Sequence, residues 1–142
     1  MNNQAQIRTH PQVSESRELV TRQLKVATPT HTTPDIDHWV LQLWGVHPDR
    51  INGPEELEGL LTKTVEELRL TKVSDHSHYF GPGVSTVIIL SESHLSAHTW
   101  PELGYMHVDV VTCAKNLNHG HLEAVFRQEF APDFIQVAQL EY

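Results

Sequence analysis

Gly81-Pro82-Gly83-Val84-Ser85-Thr86-Val87-Ile88-Ile89-Leu90 reads as a tight turn followed by a strongly β-branched strand. Working outward, Leu70 to Phe80 reads as a second strand, so the Gly-Pro-Gly turn joins two strands. Downstream lies the run Ser91-Glu92-Ser93-His94-Leu95-Ser96-Ala97-His98-Thr99-Trp100-Pro101-Glu102, after which Gly104 opens another strand, Tyr105 to Cys113. Upstream, Trp39 to Trp44 alternates as a strand and Gly45 ends it. Asn52-Gly53-Pro54-Glu55-Glu56 opens a helix, with a cap candidate, an early proline and acids in the first turn. Leu57, Leu60, Leu61, Thr64, Val65 and Leu68 then form one apolar stripe. Asn118 is placed to cap a second helix carrying Leu122, Val125, Phe126 and Phe130, and Phe134 to Leu140 closes as a last strand. The reading is an α+β fold: an antiparallel β-sheet of five or six strands with two main helices packed on one face, a two-layer sandwich.

The 142 residues fit one domain with one core. Residues 1–34 are rich in Gln, Asn, Thr, Ser and Pro and read as a flexible N-terminal extension, with a short helix within 14–26 that the Pro29 to Pro34 stretch ends. The domain proper spans 35–142. A formal charge of −8 speaks against nucleic acid and fits a cationic small substrate. No apolar run approaches a membrane span, and Met1 to Gln12 holds no signal-peptide core. A single cysteine forms no internal disulfide, so a cytoplasmic setting is expected, where a lone thiol stays reduced.

The run from Ser91 to Glu102 carries the chemistry. A serine hydroxyl that attacks the preceding carbonyl turns the amide into an ester. Removal of the serine α-proton then expels the ester, leaving dehydroalanine, which hydrolyses to a pyruvoyl group. The step needs a strained, hydrogen-bonded peptide and a nearby base. Glu92-Ser93 is the candidate bond. His98 is near enough in sequence for a tight turn to return it to Ser93, and Ser85 on the incoming strand is placed to stabilise the oxyanion. Each residue also has a plainer reading. Cys113 suits a general acid or a small core residue; Trp100 suits a core aromatic, and Glu102 a solvated carboxylate. The pairs His94/His98, His76/His78 and His119/His121 raise a metal site, but Thr99-Trp100-Pro101 disfavours a helix and no third ligand is evident, so none is expected. A Cys113–His98 dyad oriented by Asp109 is the other enzymatic alternative.

Glu92-Ser93-His94, His98-Thr99-Trp100-Pro101-Glu102, Asp109 and Thr112-Cys113 together closely resemble the prokaryotic S-adenosylmethionine decarboxylases, which are pyruvoyl-dependent. Gly83-Val84-Ser85 and Leu41-Gln42-Leu43-Trp44-Gly45 match as well, over about residues 37 to 142. The resemblance implies cleavage between Glu92 and Ser93, a covalent pyruvoyl cofactor derived from Ser93, processing by His98 and Ser85, and Cys113 as proton donor. It implies a Schiff base with the amine of a small-molecule substrate. It further implies adenine stacking by Trp100 with Tyr79 or Phe80, ribose binding by Glu102, and a homodimer of αββα layering with interface sites. The product would be the aminopropyl donor for spermidine synthesis. Gln42 stands where relatives usually carry an acid, Val46 where many carry cysteine, Met106-His107 where a small pair is usual, and Ala114 where glycine is usual. Along the strand His107 lies about 20 Å from Cys113. These departures keep L-ornithine or L-arginine open as substrates on the same fold. A processing-dead regulatory homologue is the reading from another class.

Overall fold

The computed structural model describes residues 32–142. The expected extension, apart from residues 32–34, and the short helix within it lie outside the described residues. The elements run β1 (Asp37–Trp44), α1 (Pro48–Ile51), α2 (Pro54–Glu67), β2 (Lys72–Tyr79), β3 (Val84–Leu90), β4 (Ser93–Trp100), a 3-10 turn (Pro101–Leu103), β5 (Tyr105–Thr112), α3 (His119–Phe130) and β6 (Phe134–Leu140). The strands form one sheet in the order β2-β3-β4-β5-β1-β6, and every neighbouring pair is antiparallel.

The sheet has one buried and one open face because β1, β3, β4 and β5 alternate. Trp39, Leu41 and Leu43 of β1, Leu95 and Ala97 of β4, and Met106, Val108 and Val110 of β5 point into the core. The helices close over that face. α2 buries Leu57, Leu61, Thr64 and Val65 and lies against β2 and β3, while α3 buries Leu122, Val125, Phe126 and Phe130 and lies against β6. Phe126 and Phe130 stack with ring centres 5.9 Å apart. Each fully buried Leu or Phe contributes about 1.5–3 kcal/mol, and this layer holds the sheet.

Two expectations need correction. The tight turn expected between Ser93 and His98 does not form: Ser93–Trp100 is a central strand, with Leu95, Ala97 and Thr99 inward and His94, Ser96, His98 and Trp100 outward. The cap of α2 is not Asn52, which ends the short helix α1; Gly53 takes that place and offers no side-chain bond. Asn118 does cap α3, its side chain accepting from the His121 N–H at 2.9 Å. Gly45 closes β1 at φ 71°, and a Cβ there would collide with the Asp133 carboxylate. Gly83 sits at φ 97° with the Thr99 carbonyl oxygen 2.7 Å from where a Cβ would lie, so the β2–β3 turn packs on β4 only as glycine.

The strand registers arrange the open face in rows. Trp100 and Tyr105 pair at one end, where Trp44 pairs with Phe134. Next comes a polar row across all six strands: His78, Ser85, His98, His107, Gln42 and Gln136. A mixed row follows, His76, Val87, Ser96, Asp109, Val40 and Ala138. At the far end lie Ile89, His94, Val111, His38 and Leu140, just before Ser93 and Cys113. Among the described residues no helix covers these rows.

Candidate active site

The β3–β4 hairpin turns on Ser91 and Glu92, and Leu90 pairs with Ser93 across it. Ser93 has φ 137°, a region L-residues rarely adopt, at a cost of about 1–3 kcal/mol. Hydrogen bonds hold the turn in place. The Ser91 N–H donates to the Thr71 carbonyl at 2.9 Å, and the Thr71 N–H donates to the Glu92 carboxylate at 3.1 Å. The carbonyl oxygen of Glu92, on the peptide that joins it to Ser93, accepts the Cys113 N–H at 3.0 Å. Cys113 follows Thr112, the β5 partner of Ser93, and is exposed. Strain, a polarised carbonyl, a hydroxyl and a free thiol therefore share this end of the sheet.

The opposite end holds the other expected residues. Ser85 Oγ lies 2.6 Å from His98 Nδ1, a cross-strand pair on β3 and β4. Thr99, buried beside them, locks this end: its hydroxyl accepts the Val84 N–H at 2.9 Å and donates to the Ile51 carbonyl at 2.8 Å. Trp100 is half-buried against Tyr105, with ring centres 5.5 Å apart, and the aromatic row continues through Trp44 to Phe134. Burial raises the Tyr105 phenol above its ordinary value of 10. Glu102 is exposed on the 3-10 turn, and Tyr79 and Phe80 are exposed at the end of β2.

The two ends do not meet within one chain. Ser93 and His98 lie on one extended strand, five residues or about 16 Å apart. The tight turn that would return His98 to Ser93 does not form, because β4 is held straight between β3 and β5. Ser85, paired with His98, is as remote from the oxyanion it was expected to hold. The Cys113–His98 dyad fails for the same reason. Asp109 instead approaches Ser96 and His38: the Ser96 hydroxyl bonds its carboxylate, and His38 Nε2 lies 3.4 Å away without hydrogen-bond geometry.

Sequence reasoning missed Tyr105, Trp44 and His38, whose signal was the period-two placement on the open face. His107, expected about 20 Å along the strand from Cys113, lies directly beside His98 and opposite Gln42. Burial, more than the neighbouring His98, holds the His107 imidazole below its usual pKa of 6.5, while Asp109 pulls the other way. Tyr105 donates its hydroxyl to the Gln42 side-chain oxygen at 3.1 Å.

This arrangement has a known class. Residues 37–141 match the model of the S-adenosylmethionine decarboxylase family, and the chain belongs to that family of carboxy-lyases. An S-adenosylmethionine decarboxylase proenzyme of Thermomicrobium roseum is 41% identical over 105 residues, 72% of this chain and 89% of that protein. One from Sulfurihydrogenibium is 46% identical over 77 residues, and that match spans only 58% of its length and 54% of this chain. The crystal structure of the adenosylmethionine decarboxylase of Aquifex aeolicus superposes with a TM-score of 0.66 at 33% identity, covering 75% of this chain and 88% of that one. Among the described residues no helix is long and apolar enough to cross a membrane.

Proposed function

We propose that this chain is a proenzyme that cleaves itself between Glu92 and Ser93 and then decarboxylates S-adenosylmethionine. The observation that carries the reading is the peptide itself: Ser93 sits at φ 137° while the Cys113 N–H holds the Glu92 carbonyl. Attack of Ser93 Oγ on that carbonyl puts negative charge on an oxygen that already has a donor, and the resulting ester relieves the backbone strain. Loss of the Ser93 α-proton to a base then releases Glu92 as a free carboxylate. Hydrolysis of the dehydroalanine expels ammonia and leaves a pyruvoyl group at the start of the second chain. That ketone, conjugated with its amide, supplies an electron sink for CO2 loss from an amine-bearing substrate.

The base and the aromatic clamp come from a second copy. Stacking the open faces of two sheets about a twofold axis perpendicular to the strands lays the Ser93 end of one on the His98 end of the other. His98, oriented by Ser85, then takes the α-proton of the partner copy's serine. Trp100, beside Tyr105, offers a stacking face for adenine, and Glu102 a carboxylate for ribose hydroxyls. Cys113, next to the processed residue, returns the proton to the substrate carbon. A free catalytic thiol suits a reducing, cytoplasmic setting.

Mass spectrometry of the denatured protein tests the first step: two chains are expected, split after Glu92. One intact chain would favour the regulatory homologue. Release of CO2 from S-adenosylmethionine, L-ornithine and L-arginine, compared side by side, tests the second. Release from ornithine or arginine alone would overturn the adenosyl substrate.

A further inference from the structure

The polar row holds two imidazoles in direct cross-strand register, His98 on β4 and His107 on β5. Side chains so paired have Cβ atoms about 4.5–5.5 Å apart. His98 thus has a partner on each side, Ser85 with its Oγ at 2.6 Å on β3 and His107 as its cross-strand neighbour on β5. Beyond them the row continues to His78 on β2 and Gln42 on β1. Gln42 is fixed in turn by the Tyr105 hydroxyl. Along the strands, Ser96 and Trp100 flank His98, and Tyr105 and Asp109 flank His107. In the stacked pair the Glu92, Ser93 and Cys113 end of the second copy would face them. Were both imidazoles protonated, like charges would sit directly opposite across the ladder, at a cost, and His107 fills space that water would otherwise take beside His98.

We propose that His107 is a positioning residue for the His98–Ser85 pair, backing the His98 ring so that it stays turned on Ser85 and free to act as a base. The proposal rests on the reading of His98 as the processing base. His107 touches no reacting atom of its own chain and acts through His98. The lowered proton affinity of His107 agrees with this, because its own ring stays neutral where His98 must work.

The test follows His98 in two ways. In cell-free synthesis of the full chain, the rate of splitting is measured from pH 5.5 to 8.5 for the wild type, His107→Ala and His107→Phe. Removing the ring hydrates His98 and lets it take a proton more easily. For His107→Ala the rate should fall roughly tenfold, and its acid limb should move up by about half a pH unit or more. His107→Phe, which keeps the packing, should recover most of the rate at pH 8. The second measurement needs no cleavage: an NMR titration of the His98 ring in Ser93→Ala and in Ser93→Ala/His107→Ala, with the same upward shift expected. An unmoved His98 titration in a folded double variant overturns the proposal. A wild type that never splits while the titration shifts counts against the proenzyme reading and leaves the positioning role standing.

Discussion

The proposed cleavage draws on a single backbone angle, that of Ser93. Its φ of 137° is tolerable because β3 and β5 pair with it on both sides and the Cys113 N–H grips the preceding carbonyl. Neither Ser93→Ala nor Ser93→Gly has a hydroxyl, so both should remain one chain. Glycine accepts positive φ without a Cβ penalty. Ser93→Gly should therefore be more stable than Ser93→Ala by about 1 kcal/mol or more; equal thermal midpoints for the two would mean the angle stores nothing. His107 gives a second prediction at this scale. Its folded-state pKa is lowered by burial, so the unfolded chain takes up its proton first as pH falls. Its contribution is full above its unfolded value of 6.5 and is lost below it. In the Ser93→Ala background, the fall in thermal midpoint from pH 7.5 to 5.5 should be smaller for His107→Ala than for the parent.

At the level of elements, β4 matters most, and Thr99 anchors its far end. One buried hydroxyl joins the start of β3 to the carbonyl of Ile51 at the end of α1. Thr99→Val keeps the shape and orphans both groups, so it should cost about 1–3 kcal/mol in urea unfolding. Because His98 and Trp100 flank it, the same change should slow splitting; unchanged stability would show that water replaces the hydroxyl. Much of this layer was legible in the residues. Val84–Leu90 and Phe134–Leu140 came out with their observed bounds, and the stripes of α2 and α3 were plain, since their periodicity is local. The sequence leaves β4 without a strand assignment although Leu95, Ala97 and Thr99 alternate in it, because its outward residues are polar and Trp100-Pro101 looks like a break. Asn52 looked like a cap because nothing local announced the short helix α1.

For the whole molecule, the candidate residues could be named from the chain, but their grouping could not. Ser85, Ser93, His98 and Cys113 are close in sequence, yet extended strands separate them by end rather than by number. Grouping depends on register, and register is set by long-range pairing that no short window contains. It divides the residues into two halves, Ser93 with Cys113 and Ser85 with His98 and Trp100, at opposite ends of the sheet. That division makes a sharp prediction about assembly. Alone, Ser93→Ala has no hydroxyl to attack and His98→Ala has no base, so neither should split at a useful rate. Refolded together, a mixed pair contains one complete site: Ser93 of the His98→Ala chain facing His98 of the Ser93→Ala chain. Mass-tagged chains should then show cleavage of the His98→Ala chain only, with its yield capped near half by the statistics of mixing. Cleavage of neither chain in confirmed mixed dimers would mean that His98 does not act across the interface. Cleavage of the His98→Ala chain alone at the wild-type rate would mean that another base serves Ser93.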